Sequence, residues 1–275
     1  MSQELIDTIR ALTTAVNTLT TALPQQPTSI SGNTLNATPI KGTATTEAPA
    51  PAPIPPPLPP LPPVITKAPQ MQFAPVVPVK EYKPCKVALI VGHSSTSGGA
   101  VNKLAHAAVN EYEFNNALVK EIVEAFNRTV PEEQNITLEI VYRDNGYAQL
   151  PSDVNKTKAD FAISFHCNAF NTKASGTEML YYHSSDNSKM LAGIALNNVV
   201  NALNLPDRGI KPKHSEDRGG YLLRETNMPC IISEAFFIDN IFDLARAQSA
   251  KSGLVNAYID TILEYADWSD DDGEY

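Results

Sequence analysis

The chain has 275 residues, 22 prolines, three cysteines and a net charge of −9. Seventeen of the prolines fall between Pro24 and Pro84, so a compact core must come almost wholly from the residues beyond them, which are enough chain for one α/β domain. Residues 1–84 carry five Lys/Arg against four Asp/Glu, leaving about −10 on the remainder; so acidic a domain is a poor phosphate-backbone binder, and nucleic acid is not an expected partner.

The first segment is residues 1–23. Leu5, Leu12 and Leu19 are spaced by seven, as are Ile9, Val16 and Leu23, an a/d pattern over about three heptads. It reads as a short amphipathic, coiled-coil-like helix, with residues 5–23 as a segment for self-association or docking. The other reading is a frayed helix without a partner, and the six threonines from Thr8 to Thr21 lower helix propensity. The segment opens with Glu4 and Asp7, unlike a secretory leader, which needs a basic start and a continuous apolar centre. No apolar run of the length a membrane span requires is present, so no membrane insertion is expected.

Residues 24–84 form a linker, Ser/Thr-rich at first and then Pro-rich through Pro49–Pro63. Such a run favours polyproline II, a semi-rigid spacer of about 3 Å per residue. A ligand for an SH3-like groove is the less common alternative.

Residues 85–268 are the folded domain, followed by an acidic tail over residues 269–275. Lys86–Val91 is a continuous apolar run, the pattern of a strand covered on both faces. Further strands are expected at Ile136–Tyr142, Phe161–Phe165, Thr177–Tyr182 and Cys230–Ser233. Helices are expected over Asn110–Asn127, with Asn110 as a plausible N-cap, and over Asn187–Leu203 and Ile241–Tyr265. Strands alternating with helices predict an α/β fold. Cys85, Cys167 and Cys230 are far apart and imply neither a disulfide framework nor a C-x-x-C metal pair. Cys167 and Cys230 lie in apolar runs and read as small buried hydrophobes.

Chemistry-bearing residues fall where these strands finish. His93 follows the first strand, His166 follows Phe161–Phe165 and Glu234 follows Cys230–Ser233. Ligand sites of open α/β sheets form beyond the carboxyl ends of strands, so three such endings suggest a metal or acid/base site. Each residue alone has a plainer reading as a packed or capping side chain. A catalytic zinc takes three protein ligands and leaves one position for water. Glu111 is the natural third. It shares a helix face with Asn115, Leu118 and Ile122 by 4-3-4 spacing, whereas Glu113 shares a solvated face with Lys120 and Glu124. The plainer reading of Glu111 is a first-turn acid facing the helix dipole. His106 and His183 read as solvent residues, and His214 as a loop residue that could border a substrate groove.

Four motifs together resemble a known family. They are Gly92-His93 with Gly98-Gly99-Ala100, Asn110-Glu111-Tyr112-Glu113-Phe114-Asn115, Ser164-Phe165-His166-Cys167-Asn168-Ala169, and the stretch from Leu223 to Phe237. Over Lys86–Trp268 the chain is similar to the zinc-dependent N-acetylmuramoyl-L-alanine amidases of the type-3 family, found in bacterial autolysins and phage endolysins. It departs from their usual Gly-His-Gly-Gly start, having Ser94-Ser95 after His93. The resemblance implies a twisted, mostly parallel mixed sheet flanked by helices, Zn2+ on His93, Glu111 and His166, and Glu234 as catalytic base. It also implies peptidoglycan as substrate, cut between N-acetylmuramic acid and L-alanine. With no leader expected, the chain is read as a phage lytic enzyme made in a host cytoplasm and acting on the wall. An exported bacterial autolysin is the alternative, as is a wall or virion adaptor with an inactive amidase domain; retention of all four site residues weighs against the last.

Overall fold

A computed structural model describes residues 82–103 and 108–271. The heptad segment, the linker as far as residue 81, His106 and the last four residues of the expected tail lie outside the described residues.

Among the described residues, eight strands and six α-helices occur in chain order: β1 (Cys85–Val91), β2 (Val101–Asn102), β3 (Val109–Asn110), α1 (Glu111–Thr129), β4 (Ile136–Val141), α2 (Leu150–Lys156), β5 (Phe161–Asn168), β6 (Thr177–Tyr182), α3 (Asp186–Leu203), β7 (Asp207–Lys213), α4 (Gly220–Glu225), β8 (Cys230–Phe237), α5 (Ile241–Ser249) and α6 (Lys251–Asp271). Six strands form one sheet in the order β4-β1-β5-β8-β6-β7, and β2 pairs with β3 separately. From β4 to β8 the strands are parallel; β6 runs antiparallel to β8 and carries β7 parallel to itself. The fold is the mixed, mostly parallel sheet flanked by helices that the sequence predicts.

Strand β1 shows why both faces are covered. Val87, Leu89 and Val91 join a core with α1, α3 and α6, while Ala88 and Ile90 join a second core with α2 and α4. All five are fully buried, which accounts for an unbroken apolar run rather than an alternating one. The thicker helical layer closes over Phe161, Ile163 and Phe165. There the buried Tyr258 hydroxyl lies 2.6 Å from Ser233 Oγ, so neither polar group is left unsatisfied in the core.

Several boundaries differ from the sequence reading. β5 runs on to Asn168 and β8 to Phe237, because β-pairing continues through His166 and Glu234. Both site residues therefore lie within strands rather than beyond them. The helix expected over Ile241–Tyr265 is two helices broken at Ala250, with α5 packed on β8 and α6 on α1 and α3. α6 then continues to Asp271, so the expected tail begins inside a helix. β7, which carries Gly209 and Pro212, lies at the sheet edge, where proline removes no needed ladder bond. No helix among the described residues is long and apolar enough to cross a membrane.

Candidate metal centre

The start of α1 is tied to the loop after β1 by a reciprocal set of hydrogen bonds. Asn110 caps the helix by accepting from Glu113 N at 2.8 Å. The first-turn amides of Glu111 and Tyr112 donate to the carbonyls of Ala100 and Gly98, each at 2.9 Å. In return, Ala100 N donates to Glu111 Oε2 at 3.0 Å. The 4-3-4 face read from the spacing is the buried one, with Glu111, Asn115, Leu118 and Ile122 all at most 2% exposed.

That packing requires glycine at position 99. Its φ is +77°, and a Cβ there would come 2.5 Å from Glu111 Oε2 and 2.6 Å from His93 Cδ2. His93 is itself left-handed, at φ 67°, a conformation that costs energy in a non-glycine residue and clusters at functional sites.

Around Glu111 the geometry converges. Its Oε1 accepts from Cys167 N at 3.0 Å and lies 2.8 Å from His166 Nδ1. Its Oε2 lies 3.1 Å from His93 Nε2, yet that nitrogen is buried without a properly directed hydrogen bond. The two imidazoles meet edge to face at 5.1 Å. One ligand atom from each of His93, Glu111 and His166 lies within 4.8 Å of the others. Two imidazoles, one carboxylate and an unsatisfied buried nitrogen suit a divalent ion such as zinc, which is bound by nitrogen and oxygen donors of this kind. Burial alone would raise the Glu111 carboxyl, but the hydrogen bond with His166 and the nearness of the His93 ring outweigh it and hold it well below the usual carboxylate range. It is thus an anion at the pH where it would bind a cation.

Glu234 faces this cluster from the next strand. It is the register partner of His166 on one side and of Glu178 on the other. Directly after it the β5–β8 register shifts, a bulge of the kind that re-aims a side chain beside a site. Burial first, and then the negative charge of Glu111, push its carboxyl up to about 8, against the opposing pull of Arg218 and Lys213. Its Oε2 is buried without a hydrogen bond. A carboxyl that changes protonation near neutrality is suited to general acid–base work.

Other residues at the site carry no motif that the sequence reading used. Glu178 accepts from Asn168 Nδ2 at 2.8 Å and from Arg208 Nε at 2.9 Å. Arg143, Lys213 and Arg218 line the adjoining cavity with Tyr147 and Tyr221. A lone acid in the apolar strand Thr177–Tyr182, and an arginine before the Gly219-Gly220 pair, are the signals that could have found two of them. His214 is not among the lining residues, although its neighbours Lys213 and Asp217 are. Instead it stacks on the exposed His183, with ring centroids 4.1 Å apart.

Known proteins share this arrangement of elements. Residues 87–264 match the family model described as N-acetylmuramoyl-L-alanine amidase. An uncharacterized cell wall amidase of Bacillus anthracis is 32% identical over 123 residues, 41% of this chain and 22% of that protein; the chain therefore spans well under half of that relative's length. The N-acetylmuramoyl-L-alanine amidase of Clostridium difficile 630 superposes with a TM-score of 0.58 at 23% identity, covering 67% of this chain and 97% of that one. The catalytic domain of an endolysin targeting Clostridium difficile gives a TM-score of 0.55 at 22% identity, over 66% and 97% of the two chains.

Proposed function

The chain belongs to the N-acetylmuramoyl-L-alanine amidase family, and from that premise we propose that it hydrolyses the amide joining the lactyl group of N-acetylmuramic acid to L-alanine of the peptidoglycan stem. His93, Glu111 and His166 hold a zinc ion in this reading, and Glu234 is the catalytic base. The observation that carries it is the gathering of three ligand atoms within 4.8 Å, with Glu234 paired in register to His166.

When bound, zinc supplies Lewis acidity, acidifying the attacking water and polarising the scissile carbonyl. Glu234 takes a proton from that water and returns it to the leaving nitrogen as the C–N bond breaks, so the products are a carboxylic acid on the lactyl group and a free L-alanine amine. Glu111 stays ionised throughout, the state in which a carboxylate would serve as a ligand beside the two imidazoles.

Mass spectrometry of digested peptidoglycan tests the bond. Free stem peptides beginning with L-alanine beside intact glycan strands are expected, and lysis should stop on chelation and resume with added zinc. Shortened peptides still attached to sugar would instead identify a stem peptidase.

For the setting, the reading is a phage lytic enzyme, supported by a catalytic domain joined through a proline-rich spacer to a short heptad segment. A bacterial autolysin is the second reading, favoured by the identity to the Bacillus anthracis cell wall amidase. Expression in a host with and without a holin separates them: lysis that requires the holin supports the phage enzyme.

A further inference from the structure

Beside the metal cluster lies a cavity of about 440 Å³, on the face covered by α2 and α4. Leu150, Leu180, Leu222 and Ile232 give it apolar walls, and Tyr147 and Tyr221 stand 5.9 Å apart along one side. Its charged groups are only partly matched to one another. Glu178 is engaged by Arg208 and Asn168, and Asp217 accepts the His214 amide at 2.7 Å. The three cations are left over: among the described residues Arg143, Lys213 and Arg218 form no ion pair. Lys213 and Arg218 feel the charge of Glu234 and Arg143 lies over the Tyr147 ring, yet no carboxylate closes on any of the three. Three cations without an ion pair in one cavity of an otherwise acidic domain favour an anionic ligand.

Arg218 is set apart from the other two. It alone of the three also lines the smaller pocket that holds His93, Glu111 and Glu234. Its loop is a fixed turn. His214 N donates to Asp217 Oδ2, Asp217 N returns a bond to His214 O at 3.1 Å, and Gly220 N donates to Asp217 O at 2.9 Å. A Cβ at Gly220 would come 1.8 Å from His214 O, so the turn closes only around glycine. An arginine on a turn already locked loses little freedom when it binds.

We propose that this cavity reads carboxylates of the stem peptide, with Arg218 on the free α-carboxylate of the second residue, the γ-linked D-glutamate, in preference to its carboxamide. The inference rests on the amidase reading. The second residue is the first along the stem to carry an ionisable group, and Arg218 is the cation that reaches from the cavity to the reacting end. Arg143, held over the Tyr147 ring at 5.1 Å, and Lys213 line the same cavity and take a carboxylate farther along the stem, at residue three where that residue carries one. A guanidinium meets a carboxylate with two parallel hydrogen bonds and cannot do so with an amide.

The test is calorimetric binding of free stem tripeptide to the full chain, in three forms: all acid, amidated at residue two, and amidated at residue three. Hydrolysis of the corresponding muramoyl peptides is followed in parallel. Amidation at residue two should weaken binding about tenfold or more, the scale of a charged hydrogen bond, and Arg218→Gln should abolish that difference. Amidation at residue three should weaken binding less, and Arg143→Gln or Lys213→Gln should abolish that smaller difference. Equal binding of acid and amide, no binding of the acid form, or a preference that survives Arg218→Gln would overturn the inference. The acid–amide comparison on the native chain stands even if a variant fails to fold. A binding preference without hydrolysis of any muramoyl substrate overturns the amidase reading alone, and hydrolysis without preference overturns this inference alone.

Discussion

His166 and Glu234 sit opposite each other on the parallel strands β5 and β8. A proposed ligand and a proposed base are thereby fixed by a backbone ladder in the middle of the sheet rather than by a loop, which holds catalytic geometry tighter. Glu234→Gln keeps the shape of the side chain and removes its basicity. We expect lytic activity to fall about 10²- to 10⁴-fold, the usual contribution of a general base, with bound zinc measured by elemental analysis unchanged. Undiminished lysis would remove Glu234 from the mechanism.

Glu111 accepts from two backbone amides, lies within hydrogen-bond distance of His166 and stands beside His93. Glu111→Ala should therefore lose both metal and stability, the latter by about 2–5 kcal/mol, since the amides of Ala100 and Cys167 are left without acceptors. Thermal melts with metal analysis check both. A variant that melts like the native chain and still binds zinc would show that the carboxylate is dispensable.

Gly99→Ala places a methyl group against Glu111 Oε2 and His93 and forces a side chain to adopt φ +77°. Destabilisation of roughly 1–3 kcal/mol is expected from the backbone alone, together with weaker zinc uptake. Denaturant titration gives the first quantity and competition with a chromogenic chelator the second.

Buried thiols and a buried phenol set an alkaline limit. Burial pushes Cys230 from 9.0 up to about 12, and raises Cys167 and Tyr258 as well. Each is favoured in its protonated form when folded, so the associated stability is complete below the unfolded values, 9.0 for the thiols and 10.0 for the phenol, and is lost as pH climbs toward the raised folded values. The melting temperature should fall steadily from pH 8 to 11. In Cys230→Ala the fall should be shallower, because one of the three groups no longer titrates; an identical slope would contradict the assignment.

Deletion of residues 1–23 should leave zinc content and the fold of the catalytic domain intact while lowering lysis per active site. This holds if the heptads associate, as their spacing suggests: joined through the proline spacer, several domains would reach one wall together at raised effective concentration. Turbidity clearing at matched zinc concentration measures it, and equal rates would dismiss the association.

Much of this was legible in the residues. The apolar run Val87–Val91 announced a strand buried on both faces, and the 4-3-4 spacing from Glu111 picked the buried face of its helix. What the sequence hid was set by tertiary contact. His166 and Glu234 look like strand terminators because they are polar, yet pairing with neighbouring strands carries the ladder through them. The break at Ala250 has no proline or glycine of its own; it arises because α5 and α6 pack on different partners. The cations of the cavity come from two separate parts of the chain, Arg143 after β4 and the pair Lys213 and Arg218 at the end of β7 and in the loop beyond, and no local pattern relates the first to the other two.

The sheet order has a kinetic corollary. β1, β5 and β8 are neighbours in space but distant along the chain, and such non-local parallel pairings form late because loop closure must precede them. The pocket that gathers His93, Glu111, His166 and Glu234 cannot exist until the last of these strands has found its place. Cation uptake during refolding is then expected to lag behind helix formation and to report closure of the sheet.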